Sequence, residues 1–268
     1  MCGIAGYCLN PKHQSKVNIN ELTSQMLLDI EHRGYHATGV AWINPATGKR
    51  AITKAPVAAS KFIGTKAARN ACLNAGAAIL HTRWATQGSP TNNNNNHPIP
   101  RGRIVLTHNG HISNDAELFK QLGIQRHGQV DSEAVAALLA FADGQHPTEV
   151  LPLIRGTAAL AWLEQDAPNT LNLARVSSSP LWIAQTKRGD LVYGSTEETV
   201  DNASIMLDSP LDYKYAAQEG EYFKIRNGKI AEYQQFKPAP KYDWRSYSSN
   251  YRSQDWDKYW DDADELPF

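Results

Sequence analysis

Residues 1–7, Met-Cys-Gly-Ile-Ala-Gly-Tyr, place a cysteine directly after the initiator methionine and before an apolar segment that predicts a strand. We expect removal of Met1 to leave Cys2 as the first residue of the mature chain. Cys2 then carries both a thiol and a free α-amino group, whose reference pKa of about 8 allows it to accept the thiol proton. The stretch therefore predicts a nucleophilic cysteine that needs no separate histidine as its base.

Two other interpretations of Cys2 arise from the same residues. A lone cysteine is commonly a small packing residue, here in an edge strand. A lipidated cysteine is disfavoured, because no charged segment or apolar run precedes it and the chain does not start with Met-Gly. The remaining segments decide between packing and catalysis.

The composition excludes several classes of protein. Of the 268 residues, 41% are hydrophobic and 20% charged, which is typical of a soluble globular chain. Basic and acidic residues balance at 27 each, so we expect no nucleic-acid partner and no anionic membrane surface. No apolar run approaches the ~18 residues of a membrane span. The three cysteines, Cys2, Cys8 and Cys72, lack metal-site spacing and leave an odd thiol, which favours the cytoplasm.

The first third of the chain alternates helical and strand patterns. Asn18 with Glu21 predicts the capped start of a helix, and residues 39–54 predict a hairpin. Residues 77–80 predict an apolar strand, and the polar segment His-Thr-Arg-Trp-Ala-Thr-Gln-Gly follows at residues 81–88. Polar groups at a strand end are common at functional sites.

The middle of the chain combines a low-complexity run with further polar segments. Residues 92–96 are five asparagines, which predict a mobile, solvated loop. The strand at residues 103–107 leads into His-Asn-Gly-His at 108–111, and Asn114 with Glu117 predicts a capping box. A helix is expected to begin at Asp131-Ser132-Glu133.

The last third predicts strands followed by a different kind of segment. Four short β-like runs lie between residues 158 and 194, and residues 221–233 predict a hairpin across Asn227-Gly228. With helices early and strands late, the fold class is α+β with antiparallel sheets. Residues 234–268 comprise a Pro-containing linker and an aromatic, acidic tail. The tail at 242–268 is expected to dock on its own domain or on a partner, or else to remain disordered.

Several of these segments, in this order, resemble the class II glutamine amidotransferases, which are N-terminal-nucleophile hydrolases. They are residues 1–4, 33–35, 81–86 and 108–110, together with Asp131. The closest likeness is to the glutaminase domain of glucosamine-6-phosphate synthase and covers about residues 1–233. The resemblance implies a four-layer αββα sandwich with two antiparallel sheets between helix layers. It implies no metal and no organic cofactor.

The resemblance also implies roles for individual residues. Cys2 attacks the glutamine side-chain amide, forms a γ-glutamyl thioester and releases ammonia, while Asn109 and Gly110 stabilise the oxyanion. Arg83 binds the α-carboxylate and Asp131 the α-ammonium of glutamine. Apart from the order of the family motifs along the chain, the residues alone also fit simpler interpretations. Asn109-Gly110 fits an ordinary turn, and Asp131 fits a helix-terminus residue. The supporting positions are Trp84 and Thr86, which fold over glutamine, and Arg33 and Gly34, in a loop beneath the nucleophile.

The chain departs from the family pattern at three positions and in its length. Gln87 replaces a histidine, and His36-Ala37 replaces Asp-Ser. No segment of domain size follows residue 233, so we expect the ammonia to pass to a separate synthase, docked through the tail. Two rivals remain: a stand-alone hydrolase of another γ-glutamyl amide, and a catalytically silent binding scaffold.

Overall fold

The computed structural model describes residues 1–142 and 144–240, so the tail at 242–268 lies outside the described residues. In the described part, no helix is long and apolar enough to cross a membrane. Its helices are α1 (Pro11–Gln14), α2 (Ile19–Asp29), α3 (Ala59–Phe62), α4 (Lys66–Arg69), α5 (Asp115–Leu122), α6 (Ser132–Ala140), α7 (Pro147–Val150) and α8 (Glu197–Met206). Its strands are β1 (Gly3–Cys8), β2 (Ala37–Ile43), β3 (Arg50–Ala55), β4 (Ala77–Arg83), β5 (Ile99–Arg101), β6 (Ile104–Ile112), β7 (Gly156–Glu164), β8 (Thr170–Ser177), β9 (Trp182–Thr186), β10 (Leu191–Gly194), β11 (Leu211–Ala216), β12 (Glu221–Arg226) and β13 (Lys229–Gln235).

The strands form two antiparallel sheets. The first has the order β11-β9-β10-β1-β4-β2-β3, and the second has the order β13-β12-β8-β7-β6-β5. Strand β1 lies at the centre of the first sheet, with Gly3 opposite Thr82 of β4 and Ala5 opposite Gly194 of β10. Because β1 is a central strand, the start of the chain is held beside the end of β4. The edge-strand interpretation of Cys2 is therefore wrong.

Three apolar cores separate the layers. Helices α2, α3, α4 and α8 pack on the outer face of the first sheet, where Met26 and Val200 are fully buried. Helices α5, α6 and α7 pack on the outer face of the second sheet. The two sheets face each other through a third core that includes Ile79 and Val105. The chain thus has the predicted four-layer αββα architecture, because each sheet buries one face against the other sheet and one against helices.

Several local predictions are confirmed. The Asn18 side chain accepts a hydrogen bond from the Glu21 N–H at the start of α2. Strands β2 and β3 form the predicted hairpin. In the turn between β12 and β13, Asn227 and Gly228 have φ values of +52° and +80°. This left-handed pair matches the twist of the flanking strands.

Two local predictions are wrong. The capping box at Asn114 does not form, because its side chain donates to the Leu153 carbonyl oxygen at 2.9 Å and accepts from the Arg155 N–H at 2.9 Å. The prediction of a solvated asparagine loop is wrong for Asn95 and Asn96, which are fully buried, whereas residues 92–94 are exposed. The patterns also gave no signal for α8 or β11.

Candidate active site

Cys2 lies where β1 and β4 meet. Its thiol donates a hydrogen bond to the Trp84 carbonyl oxygen at 3.6 Å, directly after the end of β4. Its own carbonyl oxygen accepts a hydrogen bond from Arg33 Nε at 3.0 Å. The predicted supporting residue Arg33 therefore holds the main chain of the predicted nucleophile.

The segment after Arg33 runs directly along the segment after β4. A Cβ atom on Gly34 would lie 2.4 Å from the Arg83 carbonyl carbon and 2.5 Å from the Trp84 nitrogen, so only glycine fits this close approach. His36 adds two contacts. Its N–H donates to the Arg83 carbonyl oxygen at 3.0 Å, and its Nδ1 accepts from the Ala85 N–H at 2.9 Å. His36, one of the departures from the family pattern, thus fixes the chain beside the thiol.

Arg83 is 3% exposed, and all its hydrogen-bond partners are neutral. One terminal nitrogen donates to Asn96 Oδ1 at 2.8 Å. The other donates to the Gly88 carbonyl oxygen at 2.8 Å and to the Gln87 carbonyl oxygen. These bonds use three of the five guanidinium N–H donors. Within the described residues, no carboxylate forms an ion pair with Arg83.

Asn109 and Gly110 lie inside β6, so they do not form the ordinary turn that was the alternative. Asn109 is 2% exposed, and its Nδ2 amide has no hydrogen-bond partner among the described residues. A buried amide donor left unpaired typically costs about 1–3 kcal/mol. Gly110 has a φ of +146°, and a Cβ atom there would lie 1.8 Å from the Thr157 carbonyl oxygen. The backbone at this point is therefore restricted to glycine.

Asp131 joins the end of β6 to the start of α6. It is 8% exposed, and its Oδ2 accepts a hydrogen bond from the Ile112 N–H at 2.7 Å. Its Oδ1 accepts from the Ser132 N–H at 2.9 Å. Oδ1 also accepts from Ser132 Oγ at 3.4 Å, and His111 Nδ1 lies 3.7 Å from Oδ2. The helix-terminus interpretation is correct, and it leaves a further acceptor position on Oδ2.

The charges of Arg83 and Asp131 both reach the Cys2 thiol. Burial has the largest influence on this thiol and raises its pKa, because the surrounding protein disfavours the charged thiolate. Cys2 as a whole residue is half-exposed. Arg83 lowers this pKa and Asp131 raises it. Burial lowers the pKa of Arg83, whereas Cys2 and Asp131 raise it. The fold therefore brings together three predicted site residues that are far apart in the sequence.

Exposed aromatic rings flank the thiol. Trp84 packs edge-on against Tyr35 with ring centroids 5.0 Å apart, and the His36 ring lies 5.1 Å from Trp84. A pocket of about 240 Å³ is lined by Met1, His32, Arg33 and Trp84. Thr86 is exposed two residues beyond Trp84. Of the two predicted covering residues, Trp84 lines this pocket, and Thr86 does not.

Buried histidines lie behind the site. His108 is a packing residue, because its Nδ1 contacts Ser132 Oγ at 2.8 Å and its Nε2 contacts the Thr157 carbonyl oxygen at 3.2 Å. The rings of His81 and His97 stack with centroids 4.1 Å apart. Burial lowers the pKa of His81 to about 3 and lowers that of His97 as well, so both rings are neutral. In the described part of the chain, no group of three His, Cys, Asp or Glu side chains has an arrangement that fits a metal ion.

The sequence interpretation missed two residues that contact this site. Asn96 contacts Arg83, and Lys54 donates to the Asn96 carbonyl oxygen at 2.6 Å. Asn96 belongs to a run of identical polar residues, which carries no pattern to separate a buried member from exposed ones. Lys54 lies in an ordinary β-hairpin, where a lysine is usually solvated.

Comparison with known proteins identifies the family. A protein-family sequence model, described as a glutamine amidotransferase domain, matches residues 81–202. The glutamine–fructose-6-phosphate aminotransferase (isomerizing) of Acinetobacter baylyi is 37% identical over 199 residues, which is 68% of this chain and 29% of that protein. The chain belongs to the class II glutamine amidotransferases.

A second enzyme of the same name supports this assignment. The glutamine–fructose-6-phosphate aminotransferase of Rhizobium meliloti is 35% identical over 205 residues, covering 73% of this amidotransferase and 31% of the relative. The chain therefore spans less than a third of the length of these curated relatives. The residues matched by the family model, 81–202, include the segments that carried the resemblance from residue 81 onward.

Solved structures show that the fold is also shared. Glutamine phosphoribosylpyrophosphate amidotransferase from B. subtilis superposes with a TM-score of 0.68 at 20% identity, covering 88% of this chain and 49% of that one. A glutamine aminotransferase class-II domain protein from Silicibacter pomeroyi superposes with a TM-score of 0.52 at 18% identity, covering 88% and 100%. At these identities the likeness concerns the fold, which is that of N-terminal-nucleophile hydrolases.

Proposed function

We propose that this amidotransferase hydrolyses the side-chain amide of glutamine to glutamate and ammonia through a γ-glutamyl thioester on Cys2. The observation that carries the proposal is the environment of Arg83, a buried cation with only neutral hydrogen-bond partners that interacts with the Cys2 thiol. A buried charge is costly unless an opposite charge reaches it, and a planar guanidinium suits a carboxylate. The α-carboxylate of glutamine supplies that anion.

The first half of the reaction acylates Cys2. Because burial raises the pKa of the thiol, the thiol needs a base, and removal of Met1 provides the α-amino group of Cys2. The amine takes the thiol proton while sulfur attacks the amide carbon, and the carbonyl electron pair moves onto oxygen. The unpartnered Asn109 Nδ2 and the Gly110 N–H donate to this oxyanion. Collapse re-forms the carbonyl, and the leaving nitrogen takes the proton from the amine and departs as ammonia.

The second half returns the enzyme to its starting state. Water attacks the thioester carbon as the same α-amino group takes a proton from the water. The same two donors stabilise the second oxyanion. Carbon–sulfur cleavage then releases glutamate, and the sulfur recovers its proton from the amine.

The remaining site residues hold the substrate and the nucleophile. Arg83 binds the α-carboxylate, and Asp131, which keeps a free acceptor position, binds the α-ammonium. Trp84 and Thr86 cover the bound glutamine. Arg33 and Gly34 keep the main chain of Cys2 in place.

We also propose that the ammonia passes to an acceptor on a separate synthase. In the curated relatives, the matched segment is less than a third of a longer protein. Residues 1–233 form the glutaminase domain in this proposal, and the tail at 242–268 docks the synthase. The unpaired state of the three cysteines agrees with a cytoplasmic location.

Glutamate release from glutamine by purified wild type and Cys2→Ala tests the reaction. We expect Cys2→Ala to lower kcat by about 10⁴-fold or more, as removal of a nucleophile typically does. Cys8→Ala is the matched control, because Cys8 is a buried free cysteine in β1, the strand that directly follows Cys2. Intact mass should show loss of one methionine.

The outcomes separate the alternatives. Release that persists in Cys2→Ala, or activity in a chain that retains Met1, contradicts the thioester mechanism. Turnover of γ-glutamyl anilides without turnover of glutamine favours the conjugate hydrolase. A folded, Met1-free wild type without turnover of either substrate favours the silent scaffold.

Truncation after Pro240 tests the role of the tail. We expect the truncated chain to keep the kcat of glutamine hydrolysis and to lose co-purification with the synthase. The full-length chain purified in parallel is the control. Loss of folding on truncation would make the tail a structural element of its own domain.

A further inference from the structure

The asparagine run at residues 92–96 contributes one side chain directly to Arg83. Asn96 is fully buried, and its Oδ1 accepts a hydrogen bond from the Arg83 guanidinium at 2.8 Å. Its Nδ2 donates to the Pro90 carbonyl oxygen at 2.7 Å and to Asn93 Oδ1 at 2.9 Å. Because Nδ2 faces two acceptors, the amide orientation that directs Oδ1 to Arg83 is fixed by its surroundings.

Lys54 holds the main chain of the same asparagine from the other side. Its Nζ donates to the Asn96 carbonyl oxygen at 2.6 Å and to the Pro98 carbonyl oxygen at 3.1 Å. Burial, and to a lesser extent the nearby Arg83 cation, lower the pKa of Lys54 to about 8. Lys54, Asn96 and Arg83 therefore form a continuous chain of contacts from strand β3 to strand β4.

The neutrality of Asn96 matters for binding an anion. An amide oxygen orients the guanidinium without cancelling its charge, whereas a carboxylate at this position would pair with Arg83 in place of a ligand. The other acceptors of Arg83 are main-chain carbonyl oxygens, which are also neutral. The arrangement fixes the direction of the guanidinium and leaves its full charge for a ligand.

We propose that Asn96 and Lys54 are positioning residues, which hold the Arg83 guanidinium in the orientation that receives the α-carboxylate of the substrate. This proposal rests on the proposed function, because it assigns the carboxylate of glutamine to Arg83. Neither residue touches the reacting amide, so the effect of both is on substrate binding.

The test compares L-glutamine with L-glutaminamide, in which an uncharged carboxamide replaces the α-carboxylate. Release of glutamate from glutamine, and of the γ-deamidated product from glutaminamide, is measured for four proteins: wild type, Asn96→Ala, Asn96→Asp and Lys54→Met. Asn94→Ala is the matched control, because Asn94 is an exposed member of the same run. Circular dichroism and the Tm of each variant establish that it is folded.

We expect Asn96→Ala to raise KM for glutamine about 10-fold, the loss typical of a hydrogen bond to a charged group, with kcat within about 2-fold of wild type. Asn96→Asp, which keeps the shape, should raise KM by about 30-fold or more, since the new carboxylate competes for Arg83. Lys54→Met should raise KM about 3-fold. KM for glutaminamide and both constants of Asn94→Ala should stay at wild-type values.

An equal rise in KM for both substrates, a fall in kcat alone, or no change in Asn96→Asp would overturn the positioning role. Calorimetric titration of glutamine into Cys2→Ala, with and without Asn96→Asp, keeps the two proposals separate. If glutamine binds to Cys2→Ala and binds more weakly to the Cys2→Ala, Asn96→Asp double variant, the positioning role is supported. This holds even if wild type shows no turnover, and in that case only the proposed hydrolysis fails. Equal affinity, or no binding by either protein, refutes the positioning role.

Discussion

Glu221 and Arg83 are both charged and both 3% exposed, but their surroundings use them differently. The Glu221 carboxylate accepts from the Tyr215 hydroxyl, the Tyr233 hydroxyl and the Gln218 N–H at 2.6–2.9 Å, so both of its oxygens are occupied. It links strands β11, β12 and β13 at the edges of the two sheets. Around Arg83, by contrast, guanidinium donors are left over. The amide of Asn109, another predicted site residue, has no hydrogen-bond partner among the described residues.

This difference separates a structural polar centre from a functional one. Buried polar groups are normally paired, so a fully occupied carboxylate is explained by the fold itself. Unused donors lower the stability of the free protein, and a ligand that binds at the site supplies acceptors for them. The comparison predicts that substitutions near Glu221 affect unfolding, whereas substitutions near Cys2 affect catalysis.

Apart from removal of the nucleophile itself, the largest expected effect is that of Asn109→Ala. Removal of an oxyanion donor typically lowers kcat by about 10²–10³-fold, equivalent to ~3–4 kcal/mol of transition-state stabilisation. Because Nδ2 has no partner within residues 1–142 and 144–240, the free energy of unfolding should change by less than about 1 kcal/mol. Steady-state kinetics and urea unfolding measure the two quantities. A stability loss that matches the kinetic loss would erase the distinction between the two centres.

Glu221→Ala should show the opposite behaviour. We expect the free energy of unfolding to fall by about 2–3 kcal/mol, because the substitution leaves three donors without their shared acceptor. The kcat of the folded protein should remain that of wild type. Glu221→Gln, which keeps one acceptor oxygen, is the graded control and should lose about half as much. A selective loss of kcat would show that Glu221 belongs to the active site.

We expect the free energy of unfolding to fall at acidic pH because of the buried histidines near Arg83. Burial holds the pKa of His81 at about 3, and the charges of Arg83, Lys54 and His108 lower it in the same direction. In the unfolded chain the pKa is about 6.5, so only the unfolded state takes up the proton as pH falls from 6.5 towards 3. Stability therefore decreases in that range, and His81 contributes about 2 kcal/mol to the loss at pH 5.

Urea unfolding at pH 7 and pH 5 checks this contribution. His81→Phe keeps a stacked ring and should reduce the pH-dependent loss by about 2 kcal/mol. His32→Phe is the control, because His32 is exposed in the fold. An unchanged pH dependence in His81→Phe would mean that His81 is protonated in the folded state.

The smallest expected effect is that of Thr86→Ala. Thr86 is exposed, so the free energy of unfolding should change by less than about 0.5 kcal/mol. If its hydroxyl covers bound glutamine, KM rises by about 2–10-fold, as for one hydrogen bond between neutral groups. Kinetics with glutamine measure this, and an unchanged KM would remove Thr86 from the substrate-binding residues.

Much of the fold was predictable because its signals are local. The cap at Asn18, the turn at Asn227-Gly228 and the alternating strands depend on neighbours within a few residues. The Asn114 cap failed for the converse reason, since acceptor and donor groups at residues 153 and 155 compete for its side chain. A partner so distant in the sequence cannot be recognised from the few residues around Asn114.

The sequence by itself determined the residue types and order of the predicted site, namely a cysteine at position 2, Arg83, Asn109-Gly110 and Asp131. It also determined the fold class, through the periodicity of the apolar residues. Only the tertiary structure decided that Asn96 is buried, because a run of five identical side chains is distinguished solely by contacts with Arg83 and Lys54. Only the tertiary structure decided which buried donors stay unpaired, since hydrogen-bond satisfaction is a property of the packed molecule.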